Sequence, residues 1–335
     1  MGRRHIELIV AQRSCTLACI VDPSPAAESI AAQNRVPLYP SIEAMLGTAH
    51  VAGVIVATPN ALHVPQALAC IAAGVPVLVE KPVADTVQAG EALCDAAERA
   101  HAKVLVGHHR RHGAIMARAC ALIASGALGP LVAAVGTALF YKPDRYFDEA
   151  PWRGQPGGGP VLINMIHEID NLRALCGEIV AVQAIASNAR RGHPVEDTVA
   201  IGLRFAGGAL GTFMLSDTAA SARSWEQTSR ENKSYASYPD EDCYVVAGTH
   251  GSLAIPTMRL RTYRSAEERS WWKPFEMQLL AVDDVDPLAR QLEHFCAMIR
   301  GEVAPLVGVR DGLQNLRVTE AIGEAAASGR LIATA

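Results

Sequence analysis

The chain has 335 residues, 50% of them hydrophobic and 19% charged, which is enough apolar material for packed interiors, too little charge for disorder, and a length that favours two domains. Lys and Arg total 30 against 34 Asp and Glu, so the net charge of −4 gives no broad electrostatic case for nucleic acid or an anionic membrane and leaves a small molecule as the expected partner. No apolar run approaches the roughly 20 residues that cross a bilayer, and Met1-Gly2-Arg3-Arg4-His5 leads into no signal-peptide core, so the expected compartment is the cytoplasm.

From residue 16 to 108, short β-branched runs alternate with helical ones. They are TLACIVD (16–22), a helix near 24–34, VPLY, a short helix, AGVIVAT (52–58), a helix over 61–73, VPVLVE (75–80), a long helix, and KVLVGH (103–108). Strands apolar on both faces and joined by crossover helices predict a parallel, doubly wound α/β sheet. After a helix ending near Gly126 the strands lengthen: LVAAVGTALFYK, EIVAVQAIASNA, DTVAIGLRFAG, GALGTFMLSD, DCYVVAGT and MRLRTYR. Their alternation, with a Gly207-Gly208 turn between two of them, predicts a mostly antiparallel sheet with one face open. One helix over 161–176 lies within this half, entered through Gly157-Gly158-Gly159 and closed by Gly177, and another over 310–327 ends the chain. Residues 224–242 are polar enough for a long surface loop. Eight cysteines, none in a C-x-x-C pair, sit mostly in apolar runs and read as buried free thiols.

Asp22 ends TLACIVD. A carboxylate at the tip of the second strand of a dinucleotide-binding sheet accepts from a ribose 2′-hydroxyl and repels a 2′-phosphate, which favours NAD over NADP; a turn aspartate before Pro23 is the alternative. The glycine fingerprint expected about 20 residues earlier is not in the sequence, although Gly2 fits its last glycine. The first strand and first two glycines are therefore expected before Met1. An in-frame apolar run ending in G-x-G upstream in the coding DNA would support this, and its absence would dispose of it.

Thr58-Pro59-Asn60, with His63, ends AGVIVAT at the carboxyl edge where open α/β sheets bind ligands, though Asn60 and His63 could equally cap helices. Glu80-Lys81-Pro82 sets a charged pair at the end of an apolar strand and follows it with a proline that halts the ladder. An ammonium there can bond a substrate hydroxyl, its pKa lowered by partial burial and by a positive nicotinamide ring; a surface Lys81 paired with Glu80 is the bland alternative. Asn164, His167 and Asn171 recur at i, i+3 and i+7 on an otherwise apolar helix. The preceding glycine run favours a site facing a cofactor cleft over a structural histidine. His108, His109 and His112 in GHHRRH lack a carboxylate or cysteine at ligand spacing, so no metal is expected, and Arg111 is expected to line the cleft. Trp225, Trp271 and Trp272 offer either a sugar-stacking face or core and interface packing.

In order, Asp22, ATPN with His63, VPVLVEKP, VGHHRRH, YFDEAPWR, GGGPVLINMIHEID, GTHGSL and VRDGLQNLRVTEAI resemble the glucose-fructose oxidoreductase, inositol dehydrogenase and MocA family over essentially the whole chain. The resemblance implies a Rossmann NAD(P)-binding domain over 1–117, lacking its first strand, and a substrate-binding and oligomerisation domain over 118–335 that forms homodimers or homotetramers through its sheet. It implies a dehydrogenase or reductase acting on sugars, cyclitols or related polyols. Lys81 corresponds to the family's E-K-P lysine and His167 to the histidine of its glycine-run motif. Trp152 and Arg153 join Arg111, Asn164 and Asn171 as expected substrate contacts, and Gly2, Asp22, Thr58, Pro59, Asn60, His63, Glu80 and Lys81 as expected cofactor contacts. Where the family often has an aspartate four residues before the histidine, this chain has Ile163 with Asn164 beside it. Asn164 can orient a hydroxyl but cannot take a proton, so Lys81 and His167 are expected to share the acid-base work. A redox-neutral glycosidase using held NAD, and a catalytically silent NAD-binding regulator, are the alternatives.

Overall fold

The β-branched runs of the first half become short parallel strands in a computed structural model that describes residues 1–334. The chain divides into two units that are not contiguous in sequence: Met1–His109 with Leu288–Leu316, and Arg110–Pro287 with Arg317–Ala335. A single cut after residue 117 leaves out the return of 288–316 to the first unit.

In that unit, β1 (Ile20–Val21) pairs in parallel with β2 (Leu38–Tyr39). Separately, β3 (Val54–Val56), β4 (Val77–Val79) and β5 (Val104–Val106) form a parallel sheet in that order. TLACIVD thus yields only two strand residues, because a ladder needs partners and β1 has one neighbour among the described residues. β4 and β5 are buried throughout. The helix Pro287–Arg300, which the sequence reading did not assign, packs Phe295 and Met298 against Leu78 of β4 and Leu105 of β5. Its Leu292 and Cys296 meet Leu8 of the helix Gly2–Ala11. Fully burying each such side chain stabilises by about 1.5–3 kcal/mol.

The second unit is built on a nine-stranded sheet. Its strands are β6 (Leu131–Leu139), β7 (Ile179–Ser187), β8 (Thr198–Phe205), β9 (Leu210–Ser216), β10 (Tyr244–Gly248), β11 (Gly251–Ile255), β12 (Arg259–Thr262), β13 (Glu276–Leu279) and β14 (Ile332–Ala333). The spatial order is β13-β12-β11-β10-β6-β9-β8-β7-β14, antiparallel throughout except for the parallel pair β6 and β9. Alternation does what was expected of it: Val199, Ile201, Leu203, Phe213 and Leu215 point into the core with Met165, Ile169, Leu172 and Ile322, while Val135, Ile185, Leu210 and Met214 lie on the open face. The β8 to β9 turn uses Gly208 at φ 90°, a left-handed conformation that costs glycine nothing. Residues 224–242 are less of a surface loop than expected, since the short helix Trp225–Thr228 sinks Trp225 into the core at 2% exposure. Trp271 and Trp272 stay exposed. All the cysteines are free, and burial pushes the Cys70 thiol up to about 11 and Cys176 up to about 12.

Candidate active site

In the first unit the expected cofactor residues other than Gly2 follow the ends of β1, β3 and β4. Asp22 follows β1, is exposed, and accepts the Ser24 N–H at 2.8 Å, the turn its neighbouring proline suggested. Gly2 opens the helix Gly2–Ala11, and a Cβ added to it would make only ordinary contact with Ala57, so packing here does not demand glycine. Thr58 donates to Gln66 at 2.9 Å. His63 is 1% exposed and works as a brace: Nδ1 lies 2.7 Å from the Pro82 carbonyl and Nε2 2.9 Å from the Thr58 carbonyl, which ties the end of β3 to the end of β4. Neither the short 3-10 turn Asn60–Leu62 nor the helix His63–Ala72 has a side-chain cap, so the capping alternative for Asn60 and His63 is not what the structure uses.

Lys81 comes two residues after the end of β4, half-buried, with a cis peptide to Pro82. Glu80 beside it is buried and takes a 2.6 Å hydrogen bond from His5 Nε2. Burial would raise the Glu80 pKa, but the hydrogen bond and charge of His5, together with His109 and Lys81, outweigh it and hold the carboxyl below its ordinary value. Glu80 is therefore an anion fixed in the interior, and Lys81 is the next residue along the same backbone. Gly107 on the adjoining strand makes room for it, since a Cβ there would come within 3.0 Å of Glu80 Oε2. His5 was not singled out from sequence, because 75 positions separate it from Glu80.

In the second unit the 161–176 helix begins as a π-helical turn, Val161–Met165, before continuing as Ile166–Cys176. The wider turn changes the phase, so residues on either side of it do not share a face as i, i+3, i+7 spacing assumes. Asn164 accepts a 2.7 Å hydrogen bond from Lys142 Nζ. His167 is half-buried at the start of the α-helical part. Asn171 is fully buried and donates to the Tyr244 hydroxyl at 3.1 Å, which makes it an interior group and not the substrate contact expected of it. The glycine run also has a local purpose. Gly159 leaves space for the Glu196 carboxylate, which accepts the Val161 N–H at 2.9 Å and so satisfies the start of the helix.

Arg111 pairs with the buried Asp170 at 3.3 Å. Its neighbour Arg110 is buried, donates to Glu168 at 2.7 Å and to Glu226, and lies over the Trp225 ring, while Tyr244 donates to the other Glu168 oxygen. Two carboxylates hold the Arg110 charge well above its ordinary pKa, although burial opposes them. Trp152 is exposed, and Arg153 lies over the Tyr146 ring at 3.9 Å. Lys142 lies in the segment 141–153 that the sequence suggests as pocket lining, although it is not singled out there individually. Burial, only partly offset by Asp217, pushes its pKa down to about 8. Its signal was a lone lysine after a long apolar strand. Among the described residues no three His, Cys, Asp or Glu side chains are grouped to hold a metal ion.

Comparison with known proteins agrees with this layout. Residues 1–108 match the model of the oxidoreductase family with an NAD-binding Rossmann fold, and residues 116–254 match the GFO/IDH/MocA C-terminal domain. The chain belongs to the Gfo/Idh/MocA oxidoreductase family. Among curated members it is 30% identical over 300 residues to 1,5-anhydro-D-fructose reductase of Ensifer adhaerens, covering 87% of this chain and 82% of that one. Among solved members it resembles the aldose-aldose oxidoreductase of Caulobacter crescentus complexed with glycerol at 27% identity and TM-score 0.78, covering 99% of this chain and 95% of the other. The WlbA dehydrogenase of Bordetella pertussis, in complex with NADH and UDP-GlcNAcA, shares the fold at 24% identity and TM-score 0.78 over 99% of this chain and 95% of its own. As a family member the protein is an oxidoreductase acting on CH–OH groups with an NAD(P)-binding Rossmann fold.

The first unit fits a dinucleotide in two respects. Asp22 stands exposed at the end of β1, and the helix Gly2–Ala11 starts with no acidic residue in its first turn and no side-chain cap, leaving the Gly2 and Arg3 N–H groups and the positive dipole end available to phosphate. No helix of the described residues is long and apolar enough to cross a membrane.

Proposed function

We propose that the protein is an NAD-linked dehydrogenase or reductase for a hydroxyl or keto carbon of a sugar, cyclitol or related polyol, with Lys81 and His167 as its acid-base groups. The observation that carries this reading is the buried Glu80–His5 pair. It sets the backbone at the end of β4 so that Lys81 is presented from a rigid strand terminus, as a positioned proton donor or acceptor requires. Lys81 accepts the proton of the substrate hydroxyl during oxidation and returns it during reduction. His167 is the second group able to carry a proton, and Asn164 orients a hydroxyl through its amide. Asp22 accepts from the ribose hydroxyls, which favours NAD over NADP. A bound nicotinamide supplies hydride transfer at its ring carbon C4.

The same proposal includes self-association. Val135, Ile185, Leu210 and Met214 form exposed apolar positions on the open face of β6, β7 and β9, a surface that a second copy would cover.

Absorbance of NADH at 340 nm against a panel of sugars, inositols and sugar acids tests the activity. Lys81→Ala is expected to lower turnover by at least 10²-fold while NAD binding persists. Wild-type turnover in that variant would refute the role.

A further inference from the structure

Lys142 follows β6, and its side chain is 11% exposed. It donates to Asn164 at 2.7 Å, lies 3.7 Å from Asp217, and sits 4.8 Å from the centre of the Tyr146 ring. Arg153 packs on the same ring at 3.9 Å and donates one N–H to the Tyr146 carbonyl at 2.6 Å. Among the described residues no carboxylate forms an ion pair with Arg153. The nearby acids are committed elsewhere: Asp217 is held more closely by Arg191 at 2.8 Å, Glu226 by Arg110, and Glu196 by the Val161 N–H. Burial raises the Glu196 pKa, which weakens it further as a counter-charge. Two cations flanking one ring thus lack an equivalent pair of anions, and each keeps unused N–H donors. Burial and the neighbouring cations Arg191 and Arg153 push the Lys142 pKa down, the cost of holding positive charge there.

We propose that Lys142 and Arg153, braced on Asn164 and Tyr146, form a subsite for a carboxylate of the substrate, so that the substrate class is a sugar acid or other polyhydroxy acid. The inference rests on the oxidoreductase reading above. An entering carboxylate supplies the missing anion and takes charge-assisted hydrogen bonds from both side chains, while the rest of the polyol is left to Asn164 and His167. Asn164 lies three positions before His167, so the amide that orients Lys142 belongs to the same chain segment as the second proton-carrying group.

The test compares matched compounds, D-glucuronate with D-glucose and D-gluconate with D-sorbitol, by calorimetric binding in the presence of NAD and by NADH formation. Wild type is expected to bind the acids about tenfold or more tightly than their neutral partners, the scale of one hydrogen bond to a charged group. Arg153→Gln and Lys142→Met are each expected to lower that acid-to-neutral preference by about tenfold. Arg153 is half-buried and pairs with no acid, so Arg153→Gln keeps the test open if removing Lys142 beside Asp217 impairs folding. Equal or tighter binding of the neutral compounds, binding of none of them, or a preference unchanged in Arg153→Gln would overturn the subsite. Turnover of neutral polyols with inert acids would refute the subsite and leave the oxidoreductase reading standing. Selective acid binding without NADH from any compound would do the reverse.

Discussion

Glu231 offers a sharp test of how burial sets charge in the second unit. Its Oε2 accepts the Trp225 indole N–H at 2.7 Å, while its Oε1 is buried against Gly113 with no hydrogen-bond partner. Burial, aided by Glu226 and Asp286 and opposed by the Trp225 bond and Arg110, raises its pKa from 4.5 to about 7. The folded state thus holds the proton more tightly than the unfolded chain. The resulting stability is complete below pH 4.5 and is lost as pH rises through 7. A shift of about 2.5 units at about 1.4 kcal/mol per unit amounts to roughly 3 kcal/mol. Glu231→Gln keeps the shape and an acceptor for Trp225 but cannot ionise. Its stability relative to wild type should therefore improve by about 3 kcal/mol between pH 4 and pH 8, whatever the constant offset of the substitution. All four tryptophans, Trp152, Trp225, Trp271 and Trp272, lie in the second unit, so urea unfolding followed by tryptophan fluorescence reads that unit directly. A difference between variant and wild type that stays flat from pH 5 to pH 8 would refute the reasoning.

Three further outcomes are expected. His5→Ala removes the hydrogen-bond partner of the buried Glu80 carboxylate and should destabilise by about 3–5 kcal/mol at pH 7. Because the Glu80 pKa is lowered in the fold, that stability exists above its unfolded pKa and vanishes as pH falls through its folded value, so circular dichroism should show the deficit shrinking on acidification. Asp22→Ser removes the charge that repels a 2′-phosphate, and kinetics with both cofactors should show the NADP-to-NAD ratio of kcat/KM rising about tenfold or more; an unchanged ratio would leave Asp22 as the turn residue it also is. Ile185→Lys combined with Met214→Glu places charges on the open sheet face, and light scattering should show a smaller assembly than wild type, whereas an unchanged mass would move the association surface elsewhere.

The candidate site was partly legible in advance. Lys81 stands out because a charged pair ending an apolar strand is a local pattern, and His167 because a histidine interrupts an apolar helix. Asn171 keeps its four-residue spacing from His167 within the same α-helix but is buried against the Tyr244 hydroxyl, a strand partner 73 positions away, while the π turn between 161 and 165 puts only Asn164 out of phase with them; no spacing rule anticipates either. His63 was read as capping or cofactor-lining, yet it braces two strand ends through backbone carbonyls 5 and 19 positions away. The helix Pro287–Arg300 did carry a signal, since Leu288, Leu292, Phe295, Cys296 and Ile299 recur with helical period. β13 carried none, all four of its residues being exposed.

By itself the sequence determined the two kinds of sheet, the strand-ending Asp22 and Lys81, and the family, because strand alternation, turn glycines and motif order are written in neighbouring residues. Only the tertiary structure decided which polar groups are paired: His5 with Glu80, Arg110 with Glu168, and Lys142 with Asn164, at separations of 75, 58 and 22 residues. Those pairings arise when burial strips water from groups that distant strands and helices bring together. The energy that selects them is desolvation, a property of the packed interior that no local stretch of sequence contains.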